Sequence, residues 1–342
     1  MKIHKNTVYI TTEGTWVQTE GESLQIRLPD GEKRSLPLRN LDSVVLLVWD
    51  GVITAEAARR CSESGVSVAI ATPTGKFIAS VDGYPRGNIT LRRAQYRFSD
   101  DADKKLSVSK SIVRAKIVSQ KNLLARHRRD HQVLTLEEME RQLSRRFEAV
   151  LSAQSEEELL GREGDAANIY FQGFPLLIKN PLNVWTGRNR RPPKDPQNAI
   201  LSFLYSLATN DCKSALALVG LDPYCGIYHH DQPGRPSLAL DLVEEFRVRM
   251  ADQTLLSLLN RNQVGLPDFE VAETGSSEWR LNADGRKKVI QEYQKRKSEE
   301  IIHPYLDERV SWGLIPTIQA RLLARHIREQ DEYMPFHLMA SV

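Results

Sequence analysis

The sequence predicts an α+β protein, with a mostly antiparallel, strand-rich N-terminal domain over residues 1–92 and a larger, all-helical domain over residues 93–342. Two observations carry this expectation. From Thr7 to Val81, β-branched and alternating runs are separated by Gly, Asp and Pro at short intervals, which is the period-two pattern of strands. After Gly87 the apolar residues recur every three to four positions and keep that spacing, which is the pattern of helices. A chain of 342 residues is long enough for two domains and a sizeable buried core.

Taken in order, the strand segments are TVYIT, TWVQT, SLQIRL, KRSLPL, SVVLLV, VSVAIA and GKFIASV, with the turn Pro29-Asp30-Gly31 dividing the third from the fourth. One helix interrupts them near Thr54 to Ser62, where the Thr54 hydroxyl caps and AEAARRC supplies helix formers. Later helices are expected near 101–130, 135–153, 155–172, 196–208, 212–220, 238–261, 282–302 and 311–329. Two loops rich in Pro, Gly and Arg interrupt them, TGRNRRPPKDP at 186–196 and HHDQPGRPS at 229–237. Polar loops of that length between helices commonly carry function.

Apolar residues make up 41% of the chain and charged residues 27%, and no stretch approaches the roughly 18 uninterrupted apolar residues of a membrane span. The N-terminal MKIHKNTVYI lacks the apolar centre of a signal peptide, so a cytoplasmic protein with no membrane association is expected. Cys61, Cys212 and Cys225 are odd in number and have no CxxC spacing, which supports neither a disulfide framework nor a thiolate zinc site. The net charge of +3 is modest but uneven: nine lysines and arginines, and no acid, lie between Lys104 and Arg129. At helical spacing, with Leu106, Val113, Ile117 and Leu124 facing inward, Lys110, Arg114, Lys116 and Lys121 would offer a positive stripe to nucleic acid. The alternative is a basic helix whose charges pair with acids from elsewhere in the fold.

The residue types that carry chemistry cluster around the second loop. In LALDLVEEFR (238–247), Leu242, Val243 and Phe246 make an apolar face, while Asp241, Glu244 and Glu245 lie at i, i+3 and i+4 on the other side. Carboxylates that close repel, so Arg247, Arg249 or a metal ion must offset them. A histidine just before the loop and an acid just after it can bring one nitrogen and one or two oxygens to a point, although spacing alone does not unite them. Glu163 from GREGDAANIYF (161–171) adds a further oxygen, and an O,O,N set suits Mg²⁺ or Mn²⁺ with positions left for water and phosphate. Gly161 and Gly164 each weaken a helix by roughly 1 kcal/mol relative to alanine, so either they serve a close backbone approach or the segment is a loop ending at Gly164 with Glu163 an ordinary surface acid.

The succession GREGDAANIYF, RNRRPPKDPQNAILSFLYSL and GLDPYCGIYHHDQPGRPSLALDLVEEFR closely resembles the CRISPR-associated integrase family, the nuclease-integrase subunit that inserts new spacers during adaptation. The motifs span residues 161–250, and the strand-then-helix order extends the resemblance over essentially the whole chain. The N-terminal wording MKIHKNTVYITTEGTWVQ hints at subtype I-C.

The resemblance implies a specific set of site residues. By it, the metal ligands fall on Glu163, on His229 rather than His230, and on Glu244, with Asp241 as a supporting or alternate ligand. Gly164, Ala166 and Ala167 then leave room for helix packing around the ion. Asn198 and Tyr205 match supporting positions, and Arg188, Arg190, Arg191 and Lys194 have the charge and reach to hold a phosphate backbone. The resemblance further implies a homodimer with the β domains at the dimer contact, and a smaller CRISPR-associated partner bridging two dimers. The substrates would be double-stranded DNA, as prespacer and as CRISPR repeat. The chemistry would be metal-assisted phosphoryl transfer, with a DNA 3′-hydroxyl attacking in integration and water attacking in simple nuclease activity. Two rivals remain: the same ligands in a hydrolase of a small phosphoester, or a DNA-binding scaffold with a vestigial site.

Overall fold

Residues 6–81 form two four-stranded sheets, and their connectivity explains why the strands are so apolar. The computed structural model describes residues 6–339 apart from 74, 76, 82–88, 181–183, 186, 190, 191 and 272–277. Strands β1 (Asn6–Ile10), β2 (Thr15–Glu20), β3 (Ser23–Arg27), β4 (Lys33–Pro37), β5 (Leu41–Leu46) and β6 (Gly51–Ile53) lead to helix α1 (Ala55–Glu63), then β7 (Ser67–Ala71) and β8 (Phe77–Val81). One sheet has the order β1-β5-β7-β8 and the other β4-β3-β2-β6. Val44, Leu46 and Val68 pack with Val17, Leu24 and Ile26 of the other sheet and with Ala57 and Cys61 of α1. Val45, Leu47, Ala69 and Ala71 instead join the core of the helical region. A strand buried on both faces reads as a continuous apolar run, as SVVLLV does.

The strand pairing corrects one expectation. β1 with β5, β5 with β7 and β2 with β6 are parallel, whereas β2 with β3, β3 with β4 and β7 with β8 are antiparallel. The sheets are therefore evenly mixed rather than mostly antiparallel. Alternation marks a strand but says nothing of its partner's direction, and the three-residue β6 is too short to show any period.

The rest of the chain is helical: α2 (Ile89–Ser99), α3 (Ala102–His131), α4 (Leu136–Ala149), α5 (Glu156–Gly173), α6 (Pro196–Val219), α7 (Ser237–Glu244), α8 (Gln253–Asn260), α9 (Ala283–Ser298), α10 (Ile315–Ile327) and α11 (Phe336–Met339). It is not wholly helical, because β9 (Phe269–Val271) pairs with β10 (Trp279–Leu281), and β11 (Glu300–His303) with β12 (Glu308–Ser311). α2 occupies the stretch expected to be a domain boundary. The two helices expected at 196–208 and 212–220 are one, because Asp211 in the middle is held by Lys297 at 2.9 Å and by the Tyr293 hydroxyl at 2.8 Å. The helix expected over 238–261 is broken by a π turn, Val248–Asp252.

The 30-residue α3 is the centre of this region. It packs against α4, α5, α7 and α11, and every residue from Ala115 to Gln120 is buried. No described helix is long and apolar enough to cross a membrane.

Candidate functional site

Helices α3, α5 and α7 bring three charged side chains to one point. The Lys116 ammonium of α3 donates to Glu163 Oε1 of α5 and lies 2.9 Å from Glu244 Oε2 at the end of α7. The side chains of Lys116 and Glu244 are 5% and 7% exposed, and that of Glu163 is 18% exposed. Arg247 adds a second cation, its Nη1 lying 2.9 Å from Glu244 Oε1 and 2.7 Å from Oε2. Burial disfavours the ionised Glu244 carboxyl, but Arg247 and Lys116 together outweigh it and hold its pKa well below the usual carboxylate range.

Asp241, one turn earlier on α7, does something different. Its Oδ2 accepts the backbone N–H groups of Ile227 and Tyr228 at 2.7 and 3.1 Å, and its Oδ1 accepts that of His229 at 2.8 Å. The same Oδ1 lies 2.7 Å from His229 Nδ1. A carboxylate can only accept, so Nδ1 carries a proton, and Nε2 is the ring nitrogen left to meet a ligand. Gly226 makes the bend that allows this: a Cβ there would meet the His229 carbonyl oxygen at 2.2 Å and Ser237 Cβ at 2.7 Å. Both Asp241 oxygens are thus engaged by the loop that presents His229.

A second layer runs from Arg247 to the first arginine-rich loop. Tyr205 of α6 lies between two guanidinium groups, Arg247 at 4.5 Å and Arg188 at 5.1 Å from its ring centroid. Its hydroxyl donates to Asp252 Oδ1 at 2.7 Å, and the Tyr170 hydroxyl donates to Asp252 Oδ2 at 2.7 Å. The π turn Val248–Asp252 connects Arg247, which lies over this ring, to Asp252, which accepts from its hydroxyl, and such turns occur frequently at functional sites. Asn198, fully buried, donates to the Gly187 carbonyl at 2.9 Å and accepts from Arg188 at 2.6 Å. Both supporting positions, Asn198 and Tyr205, therefore tie the loop and α6 to the Glu244 cluster.

Several expectations need correction. Lys116 is not part of a solvated DNA-binding stripe: it is buried, because its phase on α3 sets it between Ile112, Val113 and Gln120, all facing inward. Much of the basic run is paired with acids from other segments, Lys105 with Glu156 at 3.0 Å, Arg128 with Glu140 at 2.7 Å and Lys104 with Glu329 at 2.7 Å. The Arg114 guanidinium lies 4.1 Å from the Phe147 ring centroid and Lys121 5.9 Å, while Lys110 is half-buried. Lys194 is exposed, Arg188 is tied inward as described, and Arg190 and Arg191 lie outside the described residues.

The three acids of 241–245 also do not share a solvated face, since all three are buried. Glu245 points away from the cluster and accepts from the Tyr333 hydroxyl, from Gln319 Nε2 at 2.9 Å and from the Phe336 N–H at 2.9 Å. Burial raises its pKa to about 7 against the pull of these three donors. His230 is the exposed member of the histidine pair, its Nδ1 lying 3.5 Å from Glu156. Gly161 and Gly164 face open space rather than a packed neighbour, so no close helix approach among the described residues requires them.

Sequence reasoning missed Lys116 as a member of the cluster, and it missed Tyr228. The signal for Lys116 was present: a lysine at an inward helical phase demands a buried acid, and α3 supplies none between Lys104 and Arg129. The Tyr228 hydroxyl has no hydrogen-bond partner among the described residues. Burial, then the charges of Glu163, Glu244 and Asp241, raise its pKa above the usual phenol range, which places it in the field of the same cluster. No local pattern marks a tyrosine for that position.

The donor chemistry suits a hard divalent ion. Two carboxylates converge on a single cation, the Lys116 ammonium, and His229 Nε2 is the ring nitrogen that Asp241 does not engage. Among the described residues no three His, Cys, Asp or Glu side chains stand in ligating positions together, and the ammonium takes the place between the carboxylates. The residues fit an ion in type and convergence, with Lys116 as the group that must yield.

Comparison with known proteins is consistent along the whole chain. The family model described as CRISPR associated protein Cas1 matches residues 8–295. The CRISPR-associated endonuclease Cas1 1 of Chlorobaculum tepidum is 41% identical over 345 residues, covering 98% of this chain and 99% of that protein. Among solved structures, a casposase bound to integration product has a TM-score of 0.84 at 23% identity, covering 98% of this chain and 93% of that one. A Cas6-RT-Cas1–Cas2 complex has a TM-score of 0.83 at 22% identity, with 98% of this chain matching 36% of that chain. These last two likenesses establish the fold.

Proposed function

The chain belongs to the CRISPR-associated Cas1 family, and we propose that it is a metal-dependent DNA endonuclease and strand-transfer integrase that inserts spacer DNA into a CRISPR array during adaptation. The observation that carries this reading is the buried convergence of Glu163 and Glu244 on one cation, beside an imidazole fixed by Asp241 with its Nε2 free. A phosphodiester needs positive charge at its developing oxyanion and a positioned attacking oxygen, and little else from the protein.

Glu163, Glu244 and His229 Nε2 would hold Mg²⁺ or Mn²⁺. Such an ion, when bound, polarises the scissile phosphate and stabilises charge on the departing oxygen. The chain's own residues do the rest. Asp241 fixes the imidazole in the tautomer with a free Nε2, and Arg247 holds the Glu244 carboxylate in one orientation through two hydrogen bonds. In strand transfer the incoming 3′-hydroxyl oxygen bonds to phosphorus as the bond to the repeat's departing 3′-oxygen breaks, and the proton passes from the first oxygen to the second through solvent. In nuclease activity water replaces the incoming hydroxyl.

Lys194, and on α3 Lys110, Arg114 and Lys121, supply the DNA contacts in this reading, with Arg190 and Arg191 of the same loop as Lys194. Residues 1–92 mediate a homodimer, residues 93–342 carry catalysis and DNA binding, and a smaller CRISPR-associated protein bridges two dimers. The solved Cas1–Cas2 complex is consistent with such a partner. Cytoplasmic DNA is the substrate.

A disintegration assay on branched DNA tests the proposal, with Mg²⁺, Mn²⁺ and a chelator compared. Strand rejoining is expected with either ion and not with the chelator. Rejoining that persists in the chelator would overturn the metal dependence. DNA binding with no rejoining under any condition, the partner protein included, would instead support a scaffold with a vestigial site.

A further inference from the structure

Lys116 is the only described residue whose side chain joins Glu163 to Glu244, and its surroundings define what it does there. An ammonium in a helical core is costly unless it is paired, and α3 offers no acid of its own near it. Its partners are the two carboxylates that the proposed function assigns to the ion. One of them, Glu244, is already engaged by Arg247 through both oxygens.

The charges in this cluster can be followed through the reaction. Counted by formal charge, the carboxylates of Glu163, Glu244 and Asp241 are opposed by Lys116 and Arg247, so these five side chains carry one excess negative charge. A divalent ion converts that excess to one positive charge. A phosphodiester, with one negative charge, then restores neutrality. Without Lys116 the cluster would carry two negative charges, and an ion alone would balance it, leaving nothing for the phosphate.

We infer that Lys116 is a positioning residue that acts as an internal counter-cation: it holds the Glu163 and Glu244 carboxylates together before the ion arrives, competes with the ion for them, and so ties full charge balance to the arrival of DNA phosphate. This rests on the reading of Glu163 and Glu244 as the ion's carboxylates. Removing the ammonium takes away both a competitor and a repelling charge. The apo site then loses the link between two converging acids, which a bound ion restores.

The test is calorimetric titration of Mn²⁺ into the full-length wild type, Lys116→Met, Lys116→Arg and Glu244→Gln, with thermal unfolding of each in chelator and in excess Mn²⁺. Lys116→Met keeps length and apolar packing, and its Mn²⁺ affinity is expected to rise about tenfold or more, a change of about 1.4 kcal/mol. Its thermal shift on adding Mn²⁺ should exceed that of the wild type, and Lys116→Arg should behave as the wild type. If Lys116→Met is unfolded in chelator, recovery of the folded state by Mn²⁺ supports the inference, and failure to recover overturns it. Equal or weaker Mn²⁺ affinity in a folded Lys116→Met, with the wild type binding and Glu244→Gln not binding, overturns the role of Lys116 alone. Wild type and Glu244→Gln binding alike would overturn the metal reading itself, and this inference with it.

Discussion

Asp241→Asn separates two roles that look alike in an activity assay. If Asp241 were a metal ligand, its amide would lower ion affinity and leave the apo protein intact. In the structure Asp241 is 1% exposed and accepts four hydrogen bonds, from the N–H groups of Ile227, Tyr228 and His229 and from His229 Nδ1. An asparagine side chain keeps one acceptor oxygen and replaces the other by a donor. With the NH₂ at the Oδ2 position the Ile227 and Tyr228 N–H groups lose their acceptor; with it at the Oδ1 position the His229 N–H loses its acceptor, and the ring must switch tautomer to accept from the amide. A buried donor left without a partner costs about 1–3 kcal/mol, so one or two of them give an expected loss of about 1–6 kcal/mol, incurred in the absence of any metal. The loss should be local first. Hydrogen exchange followed by mass spectrometry, in chelator, is expected to show faster exchange of the 226–229 amides in Asp241→Asn, with α4 and α5 unchanged. Urea unfolding should show a lower midpoint. Wild-type protection of those amides together with wild-type stability would refute the reasoning and make Asp241 a ligand instead of the anchor of His229.

Three further outcomes are expected. Glu163→Gln and Glu244→Gln should each abolish metal-dependent strand rejoining, whereas Glu245→Gln, whose side chain faces Tyr333 and Gln319, should retain most of it; a dead Glu245→Gln beside an active Glu244→Gln would overturn the ligand set. Replacing Lys110, Lys121 and Lys194 together by Gln should flatten the dependence of log DNA affinity on log salt by about 0.9 for each phosphate no longer neutralised, and an unchanged slope would show that these side chains do not meet DNA. The Glu245 carboxyl is raised by burial to about 7 in the fold from about 4.5, so the native state binds its proton more tightly than the unfolded chain does. Its contribution is therefore lost as pH rises from 4.5 through 7, by about 3 kcal/mol at most; the wild-type urea midpoint should fall between about pH 5 and pH 8 relative to that of Glu245→Gln, and a constant difference between the two would refute the shift.

The fold was legible wherever one face of an element met solvent or a cap marked its end. Thr54 accepts from the Ala57 N–H as its position before AEAARRC suggested, and α5 starts at Glu156 behind the Ser155 cap. Legibility failed where the determining contact was distant in sequence. The direction of β5 relative to β1 depends on a crossover through β2, β3 and β4, and no residue of SVVLLV records it. Asp211 reads locally as a helix end, yet Lys297 and Tyr293 of α9 neutralise it and α6 continues.

For the site, sequence spacing and resemblance name the acids and the histidine, but composition places charge in the wrong environment. The run from Lys104 to Arg129 reads as one stripe because composition has no phase, whereas a helix of about 3.6 residues per turn sends consecutive cations in different directions. Lys110 and Lys121 keep some exposure, and Lys116 points into the core. The same error, in reverse sign, applies to the acids of 241–245. Asp241, Glu244 and Glu245 are all buried, and each reaches a different set of partners: a loop backbone, two cations, and the C-terminal segment. Burial of charge on this scale is unfavourable unless every charge is paired. An inward-phased lysine with no acid between Lys104 and Arg129 on its own helix, and a triplet of acids at the end of an otherwise apolar helix, are therefore complementary demands. Each could have been read as requiring the other, and their meeting at Glu244 is what makes a site out of two segments that, taken singly, resemble solvated surface.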